Sequence, residues 1–151
     1  VMHMKSTRGR GRRGAVTLRE ILLVVGLLAL LASFAIPALM QQGENAKKDM
    51  AKAAVGPSGP IAGAMKLFKF HTGVFPEELK YLIEKPGDDD VAKKWSGPYL
   101  EDESGLLDAW GHEFQYNAPG QHNEGGFDLW SKGPDGVDGN EDDIVNWKTD
   151  R

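Results

Sequence analysis

The sequence predicts an α+β protein in which a long N-terminal transmembrane helix packs on a small C-terminal antiparallel sheet. Residues 21–40 form an uncharged apolar run, two prolines and two glycines interrupt a helical pattern at 56–60, and short alternating segments with aromatics occupy the last third. We expect a basic leader over 1–15, a membrane helix over 16–40 and one folded domain over 41–151, because roughly 110 residues suffice for a single small domain.

Charge is distributed unevenly along the chain. Five of the 18 Lys and Arg residues lie before residue 16, so 13 remain beyond it against 22 acids, a net charge of −9. An acidic body argues against nucleic-acid binding, which needs a basic face. Basic residues beside an apolar segment hold that end in the cytoplasm, so we expect the rest of the chain across the membrane.

The apolar run over 21–40 is long enough for one membrane crossing. Twenty residues at ~1.5 Å each span ~30 Å as a helix. An ordinary cleaved secretory signal is the alternative, since Ser-Phe-Ala at 33–35 resembles a cleavage site after a basic start. Against it, the run exceeds the ~7 to 15 residues of a signal core, and Glu20 stands at its entrance.

Two irregularities are predicted in the helical part. Pro37 removes a backbone donor, which predicts a kink or local unwinding near 33–37, with or without a role in assembly. Residues 44–55 continue the helix out of the membrane with Ala and Met at helical spacing. The Gly and Pro cluster at 56–60 then predicts an interruption, after which a second helix covers 61–71.

Short elements follow. Residues 78–83 are expected to form one further short helix, and the charged run over 88–94 is interpreted as a solvated loop. Alternating residues with aromatics over 113–117 and 126–131 predict two antiparallel strands, and 144–147 a third.

An acidic stretch lies between the second and third strands. It holds five acids in nine residues from 135 to 143. Such crowding is unfavourable unless water or a cation screens it, and hard carboxylate oxygens favour calcium. An EF-hand is excluded, because Asp143 takes its Gly position and Thr149 its closing Glu position. A solvated acidic turn is the alternative to a calcium site.

We find no set of residues that could catalyse a reaction. The four histidines are scattered without metal-ligand spacing, and the chain has no cysteine. The sequence also has no nucleophile elbow and no phosphate-binding loop. We therefore predict that the protein is not an enzyme.

The N-terminal residues resemble a known processing site. Residues 12–20, followed directly by the apolar run, are similar to the type IV pilin and type II secretion pseudopilin families, whose pattern is a basic leader, Gly, then Phe-Thr-Leu-Ile-Glu. In these families the acid is the fifth mature residue, so the resemblance implies a cut between Ala15 and Val16, which makes Glu20 the fifth. A cut after Gly14 is the alternative, and Val16 departs from the usual aromatic.

The resemblance also implies roles for two residues of the helix. Glu20 would pair with the new α-amino group of a neighbouring subunit, commonly N-methylated in these families, and so set axial register in a filament. Alternatively, Glu20 only reaches the membrane interface, where a carboxylate is better solvated. Pro37 becomes the twenty-second mature residue, where the families tend to place a proline.

The C-terminal third resembles the major pseudopilin family of type II secretion. Residues 107–116 and 127–136 are similar to its patterns Asp-x-Trp-Gly-x-x-Tyr-x-Tyr and Ser-x-Gly-x-Asp-Gly. The resemblance implies a calcium-binding loop with the side chains of Asp135, Asp142 and Asp143 as ligands. It also implies ligation by the main-chain carbonyls of Lys132, Val137 and Asn140.

The function implied is that of a structural subunit. It would insert once in the inner membrane with the N-terminus cytoplasmic and the C-terminal domain periplasmic, be trimmed by a prepilin peptidase, and polymerise into the periplasmic pseudopilus that supports protein export across the outer membrane. Implied partners are further copies of the chain, minor pseudopilins, the inner-membrane assembly platform and membrane lipid. The alternatives are a secreted calcium-binding module released by ordinary signal cleavage, or a pilin of a related type IV pilus system.

Overall fold

A computed structural model describes residues 16–149, which divide into two compact units on either side of the 41/42 bond. The first unit is the apolar part of helix α1, which covers Leu18–Val55. Its most apolar 18-residue window has a mean hydropathy of 2.6, and its side chains are exposed. The helix is therefore long and apolar enough to cross a membrane. The predicted leader over 1–15 lies outside the described residues.

Pro37 lies inside α1 without ending it. The chain is α-helical from Leu18 to Val55, including residues 33–37, so it is not unwound there. Near this point the hydroxyl of Ser33 donates to the carbonyl of Leu30 at 2.6 Å. The kink predicted at Pro37 stays a prediction.

The interruption predicted at 56–60 is confirmed. Helix α1 ends at Val55 and helix α2 covers Pro60–Thr72. A Cβ at Gly59 would overlap the carbonyl oxygen of Ala54, so only glycine permits this close approach. Pro60 opens α2 at a position that needs no N–H donor. Gly73 closes α2 with a φ of 87°, the left-handed cap that glycine favours.

A six-residue helix was missed by the sequence interpretation. Helix α3 covers Asp89–Lys94, within the run that we predicted to be a solvated loop. The carboxylate of Asp88 accepts from the backbone N–H groups of Asp90 and Val91, both at 3.0 Å. Acids in the first turn and lysines in the last also match the helix dipole. The short helix expected over 78–83 is a 3₁₀ turn over Leu79–Leu82, and a second 3₁₀ turn covers Glu103–Leu106.

The predicted antiparallel sheet is confirmed. Its strands are β1 (Gln115–Asn117), β2 (Asp128–Ser131) and β3 (Ile144–Val145), with β2 in the centre. Tyr116 pairs with Leu129, and Ser131 pairs with Ile144. The strands are shorter than the sequence patterns suggested, since each pattern includes residues of the adjoining turns.

The core of the second unit lies between the helices and the sheet. Ile61, Met65 and Phe68 are completely buried, and their spacing places them on one face of α2. They pack with Leu82 and with Leu129 at the centre of the sheet. The end of α1 contributes Ala51 and Val55 to this cluster. The expected packing of helix on sheet is therefore present.

Candidate functional site

The first turn of α1 carries the candidate assembly residue. Glu20 is exposed, and its backbone N–H donates to the carbonyl of Thr17 at 3.0 Å and to the Thr17 hydroxyl at 3.3 Å. An acid in a first helical turn is favoured by the helix dipole. The carboxylate borders a shallow groove of about 250 Å³, lined otherwise by Val16, Ile21, Val24 and Val25. A single carboxylate thus faces an apolar surface at the start of the helix.

The two candidate cleavage bonds are only partly covered by the described residues. Gly14 and Ala15 lie outside them, and Val16 is 64% exposed. Cleavage at either bond stays a prediction.

A buried carboxylate connects the Asp-x-Trp-Gly turn to the end of β2. The Asp108 side chain is completely buried. It accepts from the backbone N–H groups of Trp110 at 3.0 Å and His112 at 2.9 Å, and from the hydroxyl of Ser131 at 2.6 Å. The Ser131 hydroxyl in turn accepts from the N–H of Gly133 at 3.1 Å. Asp108 therefore fixes the position at which the acidic loop begins.

The same turn is tied to α1. The indole N–H of Trp110 donates to the carboxylate of Glu44 at 2.9 Å, and the Lys47 ammonium donates to its other oxygen at 3.2 Å. The Trp110 hydrogen bond, followed by that from Lys47, lowers the pKa of Glu44. The end of α1, the Asp-x-Trp-Gly turn and the acidic loop thus form one connected frame within the second unit.

A second buried carboxylate holds the turn between β1 and β2. Asp128 accepts from the backbone N–H groups of Gln121 at 2.7 Å, His122 at 2.9 Å and Asn123 at 3.0 Å. The His122 ring nitrogen Nδ1 lies 3.1 Å from the same carboxylate. Burial raises the pKa of Asp128, but these hydrogen bonds more than offset it and the net pKa is lowered.

The replacement Asp128→Asn tests this arrangement through pH. A folded-state pKa below the unfolded value of about 3.9 gives stability that is present above pH ~4 and lost as the pH falls through the folded pKa. Melting of the full chain in detergent should therefore show a lower melting temperature for the variant at pH 7, and a flatter decline between pH 5 and pH 2. Glu124→Gln, an exposed acid of the same turn, is the control and should melt as the native chain does. An unchanged acid decline in Asp128→Asn would contradict the role given to this carboxylate.

Within the acidic loop, carboxylates accept hydrogen bonds from the loop itself. Asp135 accepts from the N–H of Val137 and from the Asn140 amide, both at 2.8 Å. Asp143 accepts from the N–H of Gly139 at 2.8 Å through one oxygen. The sequence-predicted ligands Asp135 and Asp143 thus each shape a turn of the loop.

The fit of this loop to a cation rests on the other oxygen of Asp143. That oxygen, Oδ1, is buried and has no hydrogen-bond partner, which is costly for a carboxylate unless a cation or water meets it. Asp142 lies beside Gly133, just before the acidic loop, since a Cβ added to Gly133 would be 2.5 Å from the carbonyl oxygen of Asp142. All the predicted ligand atoms are carboxylate or carbonyl oxygens, the hard ligands that calcium prefers. Across residues 16–149, however, no three acid, His or Cys side chains gather as a metal-holding group, so the three predicted side-chain ligands are not brought together.

The histidines of the second unit occupy separate structural positions. The His71 ring bonds to the Tyr99 hydroxyl at 2.9 Å, and His122 stacks on Trp147 with ring centres 4.1 Å apart. His112 lies 3.7 Å from the Asp108 carboxylate. These three residues do not converge on one site.

Comparisons of the sequence and the structure with known proteins agree on one family. A family model described as type II secretion system (T2SS), protein G matches residues 38–147. The type II secretion system core protein G of Pseudomonas aeruginosa is 36% identical over 145 residues, covering 91% of this chain and 97% of that protein. Its Escherichia coli K12 counterpart is 33% identical over 148 residues, covering 93% and 94%. The crystal structure of the major pseudopilin from the type 2 secretion system of enterohaemorrhagic Escherichia coli superposes with a TM-score of 0.58 at 26% identity, covering 72% of this chain and 93% of that chain.

Proposed function

Because this chain belongs to the type II secretion system protein G family, we propose how its two units serve a secretion filament. The protein is a structural subunit of the pseudopilus and not an enzyme. One observation carries the proposal: residues 21–40 of α1 are uncharged, apolar and exposed, and this surface needs a bilayer or other copies to cover it.

The first step of the proposal concerns the membrane. The apolar helix fits anchoring in the inner membrane. The basic residues before residue 16 favour an orientation with the N-terminus in the cytoplasm and the folded unit in the periplasm. In this state the helix is solvated by lipid.

The second step is release into the filament. Prepilin peptidase would cut between Ala15 and Val16, or one residue earlier, and the new amine would be methylated. The exposed carboxylate of Glu20 would then pair with the α-amino group of a neighbouring copy. A charged pair between two apolar helices fixes their relative position, since either charge alone is costly there.

Assembly of the filament implies further protein partners. A filament that starts at the inner membrane needs a platform there and subunits that begin it. We propose the assembly platform and the minor pseudopilins for these roles. The polar, negatively charged second unit would form the outer surface of the filament.

Calcium is the proposed cofactor of the acidic loop. Ion binding would draw together the carboxylates of Asp135, Asp142 and Asp143, which form no metal-holding group in this structure. Lys132, Val137 and Asn140 would add main-chain carbonyls. The unpartnered buried oxygen of Asp143 supports a cation at this end of the loop. A bound ion would neutralise crowded acids and hold the loop on the frame built by Asp108, and it would have no catalytic role.

Removal of calcium is expected to destabilise the second unit. At calcium a hundredfold above the dissociation constant, binding to the folded state contributes about 2.7 kcal/mol. Addition of EGTA to the full chain should therefore lower the melting temperature by several degrees, and excess calcium should restore it. Asp143→Asn should abolish the response, whereas Asp138→Asn, which replaces an acid outside the proposed ligand set, should keep it. Equal melting temperatures with and without EGTA would count against a structural ion.

The function itself is tested by deletion in the host. Loss of the chain should leave exported folded proteins in the periplasm, and the full-length chain supplied in trans should restore their release. A chain lacking residues 21–40 is the control and should not restore release. Undiminished export without the chain would overturn the proposed function.

A further inference from the structure

Helix α2 carries an exposed apolar ridge, defined by Leu67 and Phe70. Phe70 is 83% exposed and Leu67 is 53% exposed. The two side chains are neighbours on the helix surface because they are three residues apart. A phenylalanine can bury about 150–250 Å² at an interface, so contact with a partner would remove a large apolar area of the α2 ridge from water.

The same unit contains an open apolar groove of about 460 Å³ beside α3, which we call the α3 groove. Most of its lining is apolar or aromatic, from Phe68, Val74, Phe75, Pro76, Tyr81, Pro86 and Val91. Its polar lining residues include Glu77 and Asp88, both exposed at the surface. This groove has the size and lining of a site for one aromatic side chain.

Charge favours the α2 ridge as the occupant of the α3 groove. Lys66 is exposed one turn before Phe70 on the same side of α2. Its ammonium donates to the carbonyl of Pro57 at 2.9 Å, which leaves two of its three N–H donors for a partner. A lysine beside the ridge is therefore complementary to the carboxylates of Glu77 and Asp88 in the groove.

The ridge and the groove face different sides of the molecule. Phe68 lines the groove and Phe70 forms the ridge, and two residues along an α-helix correspond to a rotation of about 200°. One copy thus cannot offer ridge and groove to the same partner in a reciprocal dimer. Contact of a ridge with the groove of a different copy is heterologous, and it leaves a free ridge and a free groove at the two ends.

We infer that the α2 ridge of one copy docks in the α3 groove of the next copy along the filament. The inference rests on the proposed function, since it needs copies held side by side. It adds a second contact to the one between apolar helices and assigns it to named residues of the folded unit. A heterologous contact of this kind extends without limit when its rotation does not close a ring, as a filament requires.

Thiol crosslinking of the full chain in its host tests this contact. The native sequence has no cysteine, so introduced residues are the only thiols. A chain with Gly63→Cys, two turns before Phe70 on α2, and a differently tagged chain with Gly87→Cys, a groove position, are produced together and treated with a bismaleimide. A Cβ meets nothing within 4 Å at either glycine, and both substitutions keep Leu67 and Phe70. We expect a dimer that carries both tags. A chain with both substitutions should give a ladder beyond the dimer.

Controls separate this inference from the function on which it rests. Leu107→Cys, at an exposed position outside α2, replaces Gly63→Cys and should lose the mixed dimer. Filaments of the native chain without a mixed dimer, or products that stop at the dimer in the double variant, would overturn the docking while leaving the function intact. If the native chain forms no filaments, the proposed function fails and the docking falls with it. Phe70→Ser should melt as the native chain does and yet lose filament length.

Discussion

Phe68→Ala is expected to lower the free energy of unfolding of the second unit by about 3–5 kcal/mol, the range for removal of a buried phenylalanine. The side chain is completely buried, and its ring centre lies 5.6 Å from that of Tyr99. It also contacts the core cluster that joins α2 to the sheet. The expected loss of stability therefore combines the transfer free energy of the removed ring with the cost of the cavity that it leaves.

Urea unfolding of the full chain in detergent, followed by tryptophan fluorescence, measures this change. Phe70→Ala is the matched control, because the same side chain two residues later is 83% exposed. It should cost less than about 0.5 kcal/mol. Equal losses for the two variants would contradict the placement of the α2 core face.

Glu20→Ala is expected to abolish filament assembly while leaving membrane insertion unchanged. In the proposed filament, removal of the carboxylate leaves the α-amino group of a neighbour unpaired among apolar helices. The cost of an unpaired charge in such surroundings is several kcal/mol and recurs at every subunit. Even a partial loss per contact therefore stops growth of the polymer.

Electron microscopy of cells that overproduce the chain with its assembly machinery measures the effect. Arg19→Gln is the matched control, since it removes a neighbouring charge and should preserve filaments. Mass spectrometry of the membrane fraction checks that each variant is inserted and cut. Filaments of native number and length from Glu20→Ala would show that the residue sets no register.

Sequence patterns predicted the secondary structure correctly where the local residues themselves restrict the backbone conformation. The uncharged run predicted α1, and the Gly and Pro cluster at 56–60 predicted its end, since the missing N–H donors and the close approach at Gly59 are local properties. The short segments over 113–117, 126–131 and 144–147 predicted the three strands of the antiparallel sheet, but not their order. The charged run over 88–94 does not by itself predict helix α3, because the capping role of Asp88 is visible only in the backbone N–H groups from which it accepts.

The sequence did not predict the residues that hold the site. Asp108 and Asp128 lie within the family-like patterns over 107–116 and 127–136, but those patterns do not show that each carboxylate is buried and accepts several hydrogen bonds. The hydroxyl of Ser131, which Asp108 accepts from, comes from β2, 23 residues further along the chain. Such pairings depend on the completed sheet, and a single sequence gives no signal for them. Likewise, the residue types indicate calcium, but the backbone turns of the loop decide which carboxylates lie close together. Asp135 and Asp143 accept hydrogen bonds from separate turns.

The N-terminal peptide of the mature protein tests the central claim most directly. In the proposed assembly the subunit keeps its apolar helix, because that helix would first anchor the chain and then pack between copies. Mass spectrometry should find a peptide that begins at Val16, or at Ala15, with residues 21–40 retained and the terminal amine methylated. A mature protein that begins near Ile36, after the Ser-Phe-Ala site, would be a released soluble domain and would contradict the account.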